Sequence, residues 1–438
     1  MNGFRFNERL AAVILAACCV ADARGDEFDL PRVDDGRIRA AGIRRLEGKH
    51  ITLYTDLPAA KEVDELPRVF DAAVPLWCAY FGIDPAKAAQ WKLVGSVMKE
   101  KEPFVAAGLY PASLPDFPHG YSMGSQIWLY EQPSDYYRRH LLLHEGTHAF
   151  MARWLGGGGP PWYMEGMAEL LGTHQWSGGK LTLGVMPKTR EEVPYWGRVK
   201  IVKDDMAAGK GKSLQEIMQY DARAHLQVEA YGWCWAAAAF LDQHPLTQVA
   251  FRELKADTRT RSLAFSRRFY DKVKENWPAI VEDWQLFTAE CDYGYDVRRA
   301  ATIRKAAVEL PSGGATVSIA ADRGWQSTGL KLAAGNKYRL AASGRYVVAK
   351  EPKPWPCEAG GVTIRYHAGR PLGMLLAAVG DTGGEAGAVT PLASPQGIGV
   401  KGELEAKAAG TLYLKINEAV GGLADNSGTL TVTIREGE

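Results

Sequence analysis

The chain has 438 residues, 46% apolar and 24% charged, which at roughly 150 residues per domain excludes both a single small module and wholesale disorder. Its 52 basic residues balance 51 acidic ones to a net charge of +1, which excludes a global field drawing it to nucleic acid or to an anionic membrane. In chain order, Arg5 and Arg9 precede a short apolar stretch from Leu10 to Ala21, and Ala21-Asp22-Ala23 offers small residues at signal-peptidase spacing. Residues 1–23 are therefore expected to be an export leader. The stretch is well short of the about 20 apolar residues that span a bilayer and no later run reaches that length, so no transmembrane span is expected.

Leu15-Ala16-Ala17-Cys18 resembles a bacterial lipobox, so two processing readings stand side by side: cleavage near Ala23, or lipidation at Cys18 with a membrane anchor. Four cysteines remain beyond the leader, Cys78, Cys234, Cys291 and Cys357, with no CxxC pair. They are expected to be buried thiols or to form one or two disulfides in an oxidising compartment.

From about residue 48 to 300, short strand-like runs such as Ile51 to Tyr54 and Gln126 to Tyr130 mix with longer helical stretches, which reads as an α+β domain spanning 24–305. After about Leu310 the text becomes Gly-rich with period 2. Leu412, Leu414 and Ile416 alternate with Thr411, Tyr413 and Lys415, and Leu430, Val432 and Ile434 alternate with threonines. Residues 312–438 are expected to form an all-β antiparallel sandwich, with the boundary around Pro311-Ser312-Gly313-Gly314.

The chemistry concentrates in the first region. Ser134 is placed to cap a helix running through Trp154 and stopped by the glycine run from Gly156. That helix carries His144-Glu145-Gly146-Thr147-His148, whose i,i+4 spacing puts both imidazoles on one face, the separation two zinc ligands need, with Glu145 beside them as general base. Pro160-Pro161-Trp162 opens a second helix containing Glu165 and Glu169, ended by Gly172. Like charges at i,i+4 repel unless something positive lies nearby. A zinc ion would supply it, with Glu165 as third ligand and Glu169 accepting the second ring N–H of a ligand histidine, His144 by expectation. His140 and His174 are reserve candidates for ligand or oxyanion donor, beside the plainer reading of each as a surface or helix-end histidine.

HEGTH followed by WYMEGMAELLG resembles the gluzincin metallopeptidases, the group of thermolysin and aminopeptidase N, and most nearly their bacterial peptidase-MA-like members. The resemblance covers about residues 48 to 300 and implies peptide-bond hydrolysis by a metal-activated water. Met164 stands where the larger families have asparagine, and the spacer between the two motifs is shorter than theirs. In aminopeptidase-N-like enzymes a tyrosine some sixty-odd residues beyond the third ligand stabilises the oxyanion, and Tyr231 holds that place, although Cys234 replaces the lysine of the pattern. The strand Ser125 to Tyr130 matches the gluzincin edge strand that pairs with substrate backbone. No GxMEN stretch is present, so endo- and exopeptidase modes both stay open.

Trp325-Gln326-Ser327-Thr328-Gly329, Tyr338 to Ser343, Leu412 to Asn417 and Asp425-Asn426-Ser427-Gly428 resemble the galactophilic calcium-lectin family of Gram-negative bacteria. That resemblance implies a calcium loop with oxygen ligands at Glu418, the Gly422 carbonyl, Asp425 and Asn426, and glycan as a partner of the sandwich. The family's sugar-contacting histidine loop has no match, and an Asp-Asn-Ser-Gly turn that binds nothing is the plainer reading. The sequence thus points to an exported zinc metallopeptidase acting on peptide or protein, with a carbohydrate- or surface-binding sandwich. The alternatives are a non-catalytic cell-envelope or glycan-binding protein with a structural metal, and an amide hydrolase acting on acylated sugars with the same chemistry.

Overall fold

The structure is a computed structural model describing residues 28–224, 227–381 and 388–437; the expected leader, with Cys18 and Cys19, lies outside the described residues. Helices and several sheets mix in the first part, and the C-terminal part is strand-rich. Among the described residues no helix is long and apolar enough to cross a membrane.

The first part is built on β1 (Arg44–Glu47), β2 (Ile51–Thr55), β3 (Leu93–Met98), β4 (Gly120–Met123) and β5 (Gln126–Tyr130), ordered β1-β2-β3-β5-β4. The three central strands β2, β3 and β5 run parallel, and β1 and β4 flank them antiparallel. Every residue of β2 and β3 is buried, which is why those runs carry no polar alternation.

Six helices position the site: α1 (Leu66–Phe81), α2 (Asp135–Leu155), α3 (Pro161–Gly172), α4 (Arg198–Ala207), α5 (Val228–Gln243) and α6 (Trp277–Ala289). The Ser134 hydroxyl accepts the Tyr137 N–H at 3.1 Å to start α2, and Gly156 ends it at φ 73°. Pro161 opens α3 at a position where the missing N–H costs nothing. An apolar core of Phe70, Trp77, Phe81, Trp91 and Phe150 joins α1 to α2, with edge-on contacts such as Phe70 to Trp77 at 5.3 Å. Each side chain of this kind contributes about 1.5–3 kcal/mol on burial.

Two glycines fix how closely the helices approach. A Cβ on Gly146 would come within 2.7 Å of both the Phe70 and Trp77 rings, so the middle of the HEGTH segment is the contact point between α2 and α1. A Cβ on Gly166 would stand 2.9 Å from the Cys234 carbonyl oxygen, so α3 rests on α5 backbone at that residue. Cys78, Cys234, Cys291 and Cys357 are buried free thiols, so none of the disulfide pairings left open by the sequence forms.

The strand-rich part packs two sheets face to face. One holds β8 (Val308–Glu309), β10 (Gln326–Leu332), β16 (Leu375–Gly380), β17 (Gln396–Gly397) and β19 (Gly410–Ile416); the other holds β9 (Ala315–Ala320), β11 (Lys337–Ser343), β18 (Lys401–Glu405) and β20 (Thr429–Glu436). Short hairpins β12 (Tyr346–Val347) with β13 (Pro356–Cys357), and β14 (Val362–His367) with β15 (Arg370–Leu372), lie outside them, as does the hairpin β6 (His174–Ser177) with β7 (Lys180–Leu183) in the first part. Leu340, Leu412, Leu414, Leu430, Val432 and Ile434 fill the core between the sheets. Ile303 already bridges Gln326, so the chain joins this sheet ahead of the Pro311 to Gly314 turn. All seven residues of β19 are buried, because its second face lies against the first part: Tyr413 packs with Leu286 and Trp325, and Lys415 Nζ reaches Glu290 at 2.8 Å.

Candidate metal centre

The α2 register brings His144 and His148 together with Glu165 of α3. His144 Nε2 and His148 Nε2 are 3.1 Å apart, and Glu165 Oε2 lies 3.3 Å from the first and 3.5 Å from the second. Three donors each about 2.0–2.1 Å from a tetrahedral zinc lie about 3.3 Å from one another, so the triangle has the size of one face of such a site. Glu165 Oε2 is buried and, the two imidazoles apart, has no hydrogen-bond partner among the described residues, an arrangement that suits a cation between the three. Two imidazole nitrogens facing each other beside that oxygen are compensated by a positive ion more fully than by a single shared proton.

The electrostatics agree. Burial alone would raise the Glu165 carboxyl, yet His148 and His144 hold it well below the usual carboxylate range. Burial disfavours the charged His144 ring, but Glu165 and Glu169 raise it far above an ordinary histidine. Both directions describe a site that concentrates opposite charges. Glu145 is buried and points beside the triangle; burial raises its carboxyl, and Glu165 and Glu169 add to that.

Glu169 holds His144 from behind. Its Oε1 is 3.3 Å from His144 Nδ1, its Oε2 is 3.3 Å from His140 Nε2, and Arg198 grips both oxygens, Nη2 at 2.8 Å and Nε at 2.9 Å. The forked guanidinium keeps Glu169 ionised despite its burial. Arg198 is fixed in turn by the Trp196 carbonyl at 2.8 Å and lies 5.9 Å from the Tyr231 ring. His140, His144 and Glu169 are close enough to form a second triad, but the guanidinium already occupies the Glu169 oxygens, so a cation there would meet like charge. His140 thus serves Glu169 rather than the metal triangle. His174 is elsewhere, stacked on Tyr136 at 4.6 Å with Nδ1 on the Gly172 carbonyl, and burial pushes it down to about 3.

Tyr231, near the start of α5, is half-buried with its ring 6.1 Å from that of His144, and burial followed by the Glu165 charge raises its phenol, so it is a neutral O–H donor at physiological pH. The edge strand is not the one expected from sequence. Gln126–Tyr130 is β5 and pairs on both sides; the sheet edge beside Glu145 belongs to β4, a strand of four residues, and β1 forms the opposite edge. A Cβ on Gly120 of β4 would stand 2.6 Å from Glu145 Oε1, so glycine leaves that carboxylate its room. Sequence reasoning missed Arg198 and Gly120: the first pairs across 29 residues with no local motif, and the second is one of 47 glycines.

The candidate calcium loop is built differently from a surface turn. Glu418 and Asn426 are buried, and Glu418 Oε2 and Asn426 Oδ1 have no hydrogen-bond partner among the described residues. Glu418 Oε1 accepts the Ala419 N–H at 3.1 Å, and Asn426 Nδ2 donates to the Ala321 carbonyl at 3.0 Å, which aims the remaining oxygens. A Cβ on Gly422 would be 2.8 Å from Glu418 Oε1. Burial, with the Asp425 charge adding, raises the Glu418 carboxyl to about 7. Hard oxygens buried without partners fit a calcium ion.

No protein-family model matches the chain, and no curated protein matches it. Among solved structures, one described as "EclA N-terminal domain; PllA-like lectin" aligns with 28% of this chain and 95% of its own, at 21% identity and a TM-score of 0.21.

Proposed function

We propose that the chain is an exported zinc metallopeptidase of gluzincin type that hydrolyses peptide bonds, carrying a sandwich that meets a carbohydrate or cell surface. The observation that supports it is the triangle of His144 Nε2, His148 Nε2 and Glu165 Oε2 with sides of 3.1 to 3.5 Å and Glu145 beside it. Zinc, when bound by these three residues, supplies Lewis acidity to a scissile carbonyl and acidifies water. Glu145 removes a proton from the attacking water and delivers it to the departing amine. Tyr231 donates its O–H to the developing oxyanion. Glu169, held by Arg198, keeps the His144 ring turned so that Nε2 faces the site.

Three protein donors leave a coordination position open, which favours catalysis over the structural metal of a non-catalytic binding protein. The four oxygen sources at Glu418, Gly422, Asp425 and Asn426 are proposed to hold calcium. Contact with a glycan or surface is carried by the hairpin β14–β15, where Ile364 and Tyr366 are 81% and 60% exposed beside Arg365.

The test combines elemental analysis with cleavage of a mixed peptide library. Wild type is expected to carry one zinc per chain and to cleave. Glu165→Ala loses the zinc outright, whereas Glu169→Ala keeps it with affinity lowered about 10–100-fold. Zinc without cleavage of peptides, but with release of acyl groups from sugars, would move the activity to the amide-hydrolase reading; no zinc under metal-replete conditions would remove the proposal. Tyr231→Phe is expected to lower kcat by about 10²–10³-fold with KM little changed, measured by steady-state kinetics. An effect on KM alone would take Tyr231 out of the oxyanion role.

A further inference from the structure

The loop 417–428 is sealed against the first part of the chain. Val420 and Leu423 are buried in the same core as Tyr295 and Val297. A Cβ on Gly421 would come within 3.0 Å of the Gly294 oxygen and 3.1 Å of the Tyr293 oxygen, so the loop apex rests on that backbone directly. A cavity of about 20 Å³, room for a water, lies at the join and is lined by Glu290, Trp325, Lys415, Glu418, Val420 and Leu423, among others, and not by Asp425 or Asn426.

What the apex touches leads to the metal centre. The Gly294 N–H donates to the Pro187 carbonyl at 2.7 Å, and the adjoining Asp292 pairs with Lys203 of α4 at 2.6 Å. Pro187 begins the strap 187–197, whose Pro194 carbonyl accepts the Ser134 hydroxyl at 2.9 Å and which delivers Arg198 as the first residue of α4. Arg198 then holds Glu169 against His144. Apart from the exposed Asp292–Lys203 pair, each of these contacts involves backbone, a buried ion pair or a helix cap, so the path from the apex to Glu169 through Gly294, Pro187 and Arg198 does not depend on a flexible surface side chain.

We propose that a divalent cation, calcium by its donor set, bound by Glu418, Asp425 and Asn426 is a buttress: it stiffens the loop against Tyr293–Gly294 and so fixes the strap that positions Arg198. A loop whose apex is covered in this way serves the join between the two parts, not a soluble ligand. The inference rests on the calcium reading above and is independent of the zinc reading. Without the cation, two buried oxygens of the loop, Glu418 Oε2 and Asn426 Oδ1, lack partners.

The experiment uses the full chain, stripped with a calcium chelator and titrated with calcium chloride at pH 8, read by amide hydrogen exchange and thermal unfolding. At about 100 times its Kd, calcium should slow exchange up to about 100-fold in 418–426 and also in 187–198 and 291–296, and raise Tm. Glu418→Gln should abolish both responses while raising the calcium-free Tm, because a neutral amide replaces an unpaired buried charge. Asp425→Asn, at a half-buried position, should weaken calcium at least about tenfold with the fold intact. The same calcium response in Glu165→Ala separates this inference from the zinc assignment. Slowing confined to 418–426, no response in wild type, or an unchanged response in Glu418→Gln would overturn it.

Discussion

Glu145→Gln is expected to lower kcat on any cleaved peptide by about 10²–10⁴-fold while the protein still binds one zinc per chain. The side chain keeps its length and its place under Gly120, where the carboxylate now has only the room a missing Cβ leaves. What disappears is the ability to take a proton. The triangle of His144, His148 and Glu165 does not include Glu145, so metal content should be unchanged by elemental analysis. Full activity in the glutamine variant would assign the proton transfer to another group, and loss of zinc along with activity would mean that Glu145 supports the ligand set itself.

Arg198→Met should produce the largest loss of stability of any single change near the site. Glu169 is 1% exposed and its charge is balanced by the two guanidinium contacts together with His140 and His144; removing the guanidinium leaves a buried carboxylate with the two imidazoles alone, and breaking a buried ion pair typically costs about 3–5 kcal/mol. The same change frees the carboxylate that turns His144, so zinc affinity should fall about 10–100-fold, measured by competition with a chromophoric chelator. The double variant Arg198→Met with Glu169→Gln supplies the control. It removes the stranded charge along with its partner, so its denaturation midpoint should recover a large part of the loss, whereas zinc affinity should not recover. If the double variant were as unstable as the single one, the cost would lie in packing against Tyr137 and Tyr231 and not in charge.

The elements that carry the metal triangle were legible because their signals are local. Ser134, Gly156, Pro161 and Gly172 bracket α2 and α3 within a residue of where the structure places them, and an i,i+4 pair on a helix needs nothing else to share a face. The parts that were not legible depend on distant chain. β4 is four residues, Gly120 to Met123, too short to show alternation, so the edge assignment falls on Ser125 to Tyr130, the strand just before the HEGTH helix. Arg198 has no signature beyond a basic residue at a helix start. In β19 the alternation of Leu412, Leu414 and Ile416 with Thr411, Tyr413 and Lys415 reads as one buried face and one wet face. The structure buries both, since an amphipathic Lys415 can cover Trp325 with its ammonium 5.1 Å from the ring while pairing with Glu290. The same tertiary burial takes Val420 and Leu423, a few residues ahead of the Asp425-Asn426-Ser427-Gly428 turn, into the core of the first part.

The two glycines at the helix crossings, Gly146 and Gly166, bear on how the proposed centre would take up an ion. Because α2 is locked on Phe70 and Trp77, and α3 on the backbone of Cys234, hydrocarbon packing rather than coordination sets the spacing of His144, His148 and Glu165. The ligands are therefore preorganised: most of the ordering entropy of the site is met when the core forms, and the ion arrives at a mould already cast. On the proposed zinc reading, loading and unloading are exchange reactions on a folded protein, in contrast to small zinc modules whose metal is the condition of their fold.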